Sequence, residues 1–234
     1  MKRFYKEVAV REDEGGHTIL LDGKPVRTPA KQGLLLPNAR LAEALAEEWE
    51  AQEAKVHPPS MPLTQLACTA IDQTRSSPQE TLEETAAYAG NDLLCYRVEY
   101  PAALRQRQHD LWQPLLDWAA LRYDAPLQIT SAILSVDQPE SSLAALRAPL
   151  LPLDDFTLTA LSQTVRITGS LVLGLALLEA ELDAKAAFER AELDEAFQLE
   201  QWGEDAEAVR KRALRLSDLM AAERFMRLLA NPHS

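Results

Sequence analysis

The sequence predicts an α+β fold: a small N-terminal α+β domain of short antiparallel strands plus helix, followed by a larger all-α helical domain. Three observations predict it. Strand-like alternation and tight-turn dipeptides are confined to residues 4–36. Apolar residues at helical spacing dominate almost everything after residue 38. Glycine is scarce, 8 residues in 234, while Ala and Leu are abundant, which disfavours sandwiches and barrels built on glycine-rich turns. The boundary falls at Arg75-Ser76-Ser77-Pro78, giving domains 1–75 and 76–234.

The elements follow in order. Tyr5 to Arg11 alternates around Val8 and Val10 and reads as a strand. Gly15-Gly16 is a turn, and His17 to Leu21 a second strand. Asp22-Gly23 is a strong tight-hairpin signal that returns the chain as Val26 to Thr28. Leu34 to Leu36 is a last short strand before Pro37. Asn38 is a good N-cap for an amphipathic helix whose stripe is Leu41, Leu45 and Trp49. His57 to Pro62 is a stiff extended connection. A helix over about 63–74 presents Leu63, Leu66, Ala67, Ala70 and Ile71.

Beyond the boundary, Ser77 with Glu80 predicts a capping box, with Pro78 at the first helical position of a helix over 78–97. A helix over 102–123 follows, with Pro114 set to kink or divide it. Residues 125–137 fit a strand or a buried loop equally. Asp137 with Glu140 is expected to cap a helix to about Leu150, and Asp154 to open another. Gly169-Ser170 precedes the most apolar helix, 171–182. Asp183 opens a long acidic helix to Trp202, stopped by Gly203. The last helix, about 204–230, has Glu204, Asp205 and Glu207 in its first turns and its arginines later, as suits the helix dipole.

Composition excludes several functions. Acids outnumber bases 36 to 24, a formal charge of −12, which opposes general binding to nucleic acid or anionic membrane. The imbalance is net −2 over residues 1–74 and net −10 over 75–234. The longest apolar run, Leu171 to Leu178, is far short of the roughly 20 residues that span a bilayer. The chain enters strand-like sequence directly after Met1-Lys2-Arg3-Phe4, so no signal or transit peptide is expected and the location is expected to be cytoplasmic. Cys68 and Cys95 form neither a zinc ribbon nor a thioredoxin-type pair, and are expected to be two buried free thiols.

Motifs for catalysis are missing from the sequence. His17, His57, His109 and His233 share no helical turn and no metal-ligand spacing, so no metal is expected. Gly169 and Gly174 have a phosphate-loop interval but no following Lys-Ser/Thr, so small residues for close helix packing are the simpler reading. There is no nucleophile elbow. No cofactor is expected, and a nucleophilic hydrolase has no support; an enzyme using buried carboxylates is the third reading of the residues alone, behind a protein-interaction module.

The segment 179–207 carries 11 acids against Lys185 and Arg190. A solvated face explains this, and so does a surface that docks a basic partner and speeds association. Projected as one helix from Ala184, a stripe runs Ala184, Phe188, Ala191, Glu195, Gln198, Trp202. It begins apolar and is then broken by Glu195 and Gln198. A carboxylate facing a core is costly unless paired. Glu195 is therefore expected either to pair with an arginine of a neighbouring helix or to face a groove. Trp49 closes its own stripe as core, with binding as the alternative. Met61, among prolines, is a candidate for a binding surface.

Taken in order, several segments resemble one family. These are KRFY at 2–5, LDGKPVRTPA at 21–30, EWEAQ at 48–52, MPLTQLACTAID at 61–72 and DLLCYRVEYP at 92–101. The helical half adds WQPLLDWA at 112–119, RY at 122–123 and LDEAFQLEQWG at 193–203, with Gln113 where the family pattern usually has Asp. The sequence resembles the chaperones that assemble the catalytic head of the rotary ATP synthase, in the family that binds its α subunit. The resemblance implies a non-enzymatic protein that binds the free α subunit, shields its subunit interface from aggregation and leaves on assembly. It looks like a bacterial member, expected to be a monomer. Glu195, Gln198 and Trp202 are the expected partner-binding residues, with Trp49 a weaker candidate. Without the resemblance, the residues alone describe an acidic helical protein-interaction module with a different partner.

Overall fold

A computed structural model describes residues 2–131, 136–203 and 206–230. The fold is α+β, with a small antiparallel sheet and then a succession of helices. The chain divides into two compact units. The first holds Met1–Pro78, Asp154–Ala160 and Arg224–Ser234, and the second Gln79–Leu153 and Leu161–Glu223.

In the first unit, β1 (Val8–Asp13) pairs antiparallel with β2 (Gly16–Leu21). Gly16 is required there, because a Cβ would collide with the carbonyl oxygen of Leu36. Asp22 (φ 47°) and Gly23 (φ 78°) form the two-residue turn that sets Leu21 opposite Lys24 in β3 (Lys24–Pro25). Asp22 Oδ1 also accepts the N–H groups of Lys6 and Glu7, which ties the entry of β1 to this turn. The expected third strand over 26–28 is shorter and earlier than its sequence suggests. β4 (Leu35–Leu36) pairs with β2, on the residues that β3 leaves unpaired.

The sheet is covered by α1 (Ala39–Glu50), whose first turn is capped by Asn38 Oδ1 accepting Leu41 N–H at 2.9 Å. Leu41 and Leu45 are fully buried, as their spacing requires. α2 (Pro62–Asp72) buries Leu63, Leu66, Ala67, Ala70 and Ile71. Glu48 of α1 accepts the N–H groups of Leu63 and Thr64, so its carboxylate satisfies the exposed donors at the start of α2. Asn38 Nδ2 donates to Leu228 O, and Phe156 stacks on Phe225, joining the three chain segments of this unit.

The second unit contains α3 (Pro78–Ala87), α4 (Ala102–Tyr123), α5 (Glu140–Arg147), α7 (Leu171–Leu178), α8 (Ala184–Ala191) and α9 (Leu193–Trp202). It also holds the larger parts of α6 (Asp155–Thr168) and α10 (Ala206–Leu229). α4 runs unbroken through Pro114. Asp154 caps α6 by accepting Phe156 and Thr157 N–H, and Ser170 caps α7 through Leu173 N–H. Asp137 does not cap α5, whose N-cap position is Pro139 with no side-chain bond. Glu204, Asp205, His233 and part of the 125–137 segment lie outside the described residues.

Two helices differ from their sequence expectation. The one expected over 78–97 ends at Ala87 and gives way to 3-10 turns at Tyr88–Asn91 and Leu93–Cys95. Asp92, fully buried, explains the stop: Oδ1 accepts Leu94 N–H and Oδ2 accepts Val172 N–H in the first turn of α7. Burial pushes its carboxyl up to about 6 against those donors. The acidic helix expected over 183–202 is two helices, α8 and α9, separated at Glu192.

Candidate partner-binding face

The break at Glu192 decides what α9 presents. Asp183 starts α8 by accepting Ala186 N–H at 2.7 Å. At Glu192 the backbone leaves helical geometry (φ −97°, ψ 11°), and its own N–H still closes on Phe188 O. The Glu192 side chain is 4% exposed and meets Arg215 of α10 at 2.6 Å, with Arg212 farther off at 3.9 Å. Both guanidinium groups lie 5.9 Å from the Phe188 ring centre. Burial, and then the hydrogen bond with Glu195, hold the Glu192 carboxyl above the usual range against the pull of Arg215.

This overturns the single projected stripe. Ala184 and Phe188 are buried on α8, but Glu195 does not continue their face. The carboxylate that faces the core and pairs with arginines is Glu192, one helical turn earlier than the residue singled out from sequence. Glu195 is exposed and hydrogen-bonds Glu192. It lines a cleft of about 420 Å³ with Glu192, Glu207, Lys211, Arg212 and Arg215.

The second half of the projection survives on α9 alone. Glu195, Gln198 and Trp202 fall at i, i+3 and i+7 and are all exposed, so the helix brings them to one stripe. Trp202 is 87% exposed, an unusual state for the largest apolar side chain. The opposite side of α9 is fastened to α4. Gln108 Nε2 donates to Asp194 at 2.8 Å, Arg107 pairs with Glu200 at 2.7 Å, and Arg107 covers the Phe197 ring. Buried Trp112 donates its indole N–H to Arg190 O at the end of α8. The stripe is thus carried on a fixed support.

Beside it, an apolar groove of about 330 Å³ runs between α8 and α10, lined by Phe188, Val209, Ala213 and Leu216. Lys185, Glu189 and Arg212 stand at its edges. Val209 is 43% exposed, and Met220 extends the same α10 face. This face combines apolar area with charged margins, the usual make-up of a protein-binding surface.

Trp49 belongs to the first unit and lines a different cleft, of about 480 Å³, with Val56, Pro58, Met61, Thr64 and Cys68. Tyr5 packs edge-on against it at 5.7 Å and donates its hydroxyl to Trp49 O. The Trp49 indole N–H is buried without a partner. Met61 is 2% exposed, a wall of this cleft rather than a surface side chain. Both cysteines are free, Cys95 buried and Cys68 half-buried.

No group of three or more His, Cys, Asp or Glu side chains is arranged to hold a metal among the described residues. No helix among them is long and apolar enough to cross a membrane. Sequence reasoning missed Glu192 and Asp92, whose partners lie in distant helices. The only local signal was their polarity inside otherwise apolar spacing.

Comparison with known proteins agrees with this architecture. Residues 2–120 match the sequence profile described as ATP12 chaperone protein. Protein atp12, mitochondrial, of Schizosaccharomyces pombe is 25% identical over 89% of this chain and 76% of its own length. Protein ATP12, mitochondrial, of Saccharomyces cerevisiae is 27% identical over 92% and 80%. The crystal structure of Atp12 from Paracoccus denitrificans is 43% identical, covers 98% of both chains and superposes with a TM-score of 0.93. The chain belongs to the ATP12 family of ATP synthase assembly chaperones.

Proposed function

We propose that this protein binds the free α subunit of the ATP synthase catalytic head, shields its subunit interface from aggregation and is released as the head assembles. The observation that carries the reading is Trp202, left almost fully exposed beside Glu195 and Gln198 on a helix whose other side is pinned to α4. An unassembled ring subunit exposes a large apolar interface. A holding protein must cover part of it and still bind more weakly than the true neighbour. A small aromatic anchor with an acidic rim suits that need better than an extensive apolar interface.

The reading is non-enzymatic. The cleft at Glu192 does bring three carboxylates together, Glu192, Glu195 and Glu207, but Arg215 holds Glu192 in an ion pair. The cleft's other charges are engaged in the same way, Lys211 pairing with Glu207 at 2.7 Å, so its acids and bases are spent on one another rather than held ready for a substrate.

Glu195→Lys and Trp202→Ala test the reading. Both positions are exposed, so folding should be retained, and α-subunit affinity should fall at least tenfold for each. Folded variants that bind the α subunit with unchanged affinity would remove α9 from the interface. Capture of a different protein by the wild type, with no α-subunit binding, would favour the acidic interaction module.

A further inference from the structure

We propose that a second site, between α4 and the segments before and after it, receives a carboxylate of an acidic, partly apolar client segment; this rests on the chaperone reading and names part of what the client offers. The site is a pocket of about 470 Å³ lined by Arg97, Arg105, His109, Tyr100, Ile129 and Glu99. Arg105 and His109 stand at i and i+4 on α4 and project from one face. Arg97 enters from the segment after the Leu93–Cys95 turn, its guanidinium 5.1 Å over the Trp112 ring.

Charge accounting singles out this pocket by its concentration of cations, Arg97, Arg105 and His109 against Glu99. The protein is strongly acidic, and four arginines of the same unit are matched to carboxylates, Arg107 to Glu200, Arg122 to Glu179, Arg147 to Glu83 and Arg215 to Glu192, while Arg190 and Arg210 donate to the carbonyls of Ala186 and Ala206 on their own helices. Arg97 and Arg105 have no such ion pair among the described residues. Arg97 Nη1 donates to Gln108 O, while Nε and Nη2 are buried with no hydrogen-bond partner. Buried unpaired donors are costly, and are kept where a ligand or a field is required. Asp194, the nearest acid to influence Arg97 from α9, is engaged by Gln108. Glu99, the one acid in the lining, accepts from Ser131.

The rim defines the rest of the ligand. Tyr100 is 84% exposed and Ile129 44% exposed, so apolar surface borders the cationic floor. A free inorganic anion would use only the floor. A peptide carboxylate flanked by an apolar side chain uses both: Arg105 supplies a two-pronged donor, His109 a further N–H, and Tyr100 and Ile129 the apolar contact. Arg97 adds charge from beneath.

The test uses two blocked peptides, Ac-Ala-Leu-Glu-Phe-Ala-NH2 and its Gln twin, titrated into the full chain while the His109 ring resonances are followed by NMR. The Glu peptide is expected to shift these resonances and to bind at least tenfold more tightly than the Gln twin. Arg105→Glu, an exposed substitution, should abolish the difference, and His109→Ala should weaken binding of the Glu peptide severalfold. Equal binding of the two peptides, or none at millimolar concentration, overturns the site. Inorganic phosphate binding more tightly than the Glu peptide also overturns it, because the ligand would then be a simple oxyanion.

A parallel arm measures α-subunit affinity, where Arg105→Glu is expected to cost at least fivefold. Peptide discrimination without α-subunit binding by the wild type would sink the function reading and leave the pocket standing. α-Subunit binding that Arg105→Glu does not change, with no peptide discrimination, would do the reverse.

Discussion

Glu192 and Arg215 meet at 2.6 Å where α8 gives way to α9. The carboxylate is 4% exposed, while Arg215 and Arg212 remain 44% and 30% exposed. Removing one partner of a fully buried pair costs about 3–5 kcal/mol. Here water can take over the arginine charges, so Glu192→Ala is expected to cost about 1–2 kcal/mol. Urea denaturation measures the loss, and hydrogen exchange should rise more in α9 than in α8. Unchanged stability and exchange would mean the pair does not hold the break.

Asp92 predicts a pH dependence. Burial raises its carboxyl from 3.8 to about 6 in the folded chain. A carboxyl with a raised folded pKa binds its proton more tightly in the native state than in the unfolded state. Its contribution is therefore complete below about pH 4 and is lost as pH rises through 6, by about 3 kcal/mol. The stability difference between wild type and Asp92→Asn should shrink over that window and be flat above pH 7. A difference independent of pH would contradict the assignment.

Gly174→Ala sets two effects against each other. Alanine favours a helix by about 1 kcal/mol over glycine. The added Cβ would lie 2.6 Å from Val165 Cγ2 and 3.0 Å from Leu161 Cδ1, in the packing between α7 and α6. Overpacking of that kind costs about 1–3 kcal/mol, so the net effect is destabilising. Val165→Ala should partly rescue it, making the double variant more stable than the sum of the singles. A stabilising Gly174→Ala would show that the two helices can separate at little cost.

Cys68 and Cys95 should be slow thiols. Burial pushes them up to about 11 and about 12. At pH 8, Cys68 is expected to react with a disulfide reagent about a hundredfold more slowly than the unfolded chain, and Cys95 only on unfolding. Rapid reaction of both thiols in the folded protein would contradict this burial.

Helix starts were legible in the sequence because capping is local. Asn38, Asp154, Ser170 and Asp183 each accept N–H groups two or three residues on, and each stands where the sequence suggested. The apolar stripe of α1 was legible for the same reason. The interruptions were not. Nothing near Glu192 resembles a helix breaker, and residues 183–202 keep helical composition throughout. The break comes from Arg212 and Arg215, some twenty residues away. Likewise α3 ends early because Asp92 is needed 80 residues on, at Val172. Gln108 and Trp112 are buried inside α4 because Asp194 and Arg190 O satisfy their polar atoms. At the candidate face, the residue types on α9 were readable, but their shared exposed stripe follows from a break set by distant arginines.

The most direct test of the account is light scattering of purified α subunit at assembly temperature, with equimolar wild type, Trp202→Ala or an unrelated protein of similar charge. The account predicts that wild type suppresses aggregation and co-elutes with the α subunit. Trp202→Ala, folded to the same extent, should do neither well, and the unrelated protein should have no effect. Suppression by wild type and Trp202→Ala alike would contradict the α9 interface, and no suppression or complex with wild type would contradict the chaperone role itself.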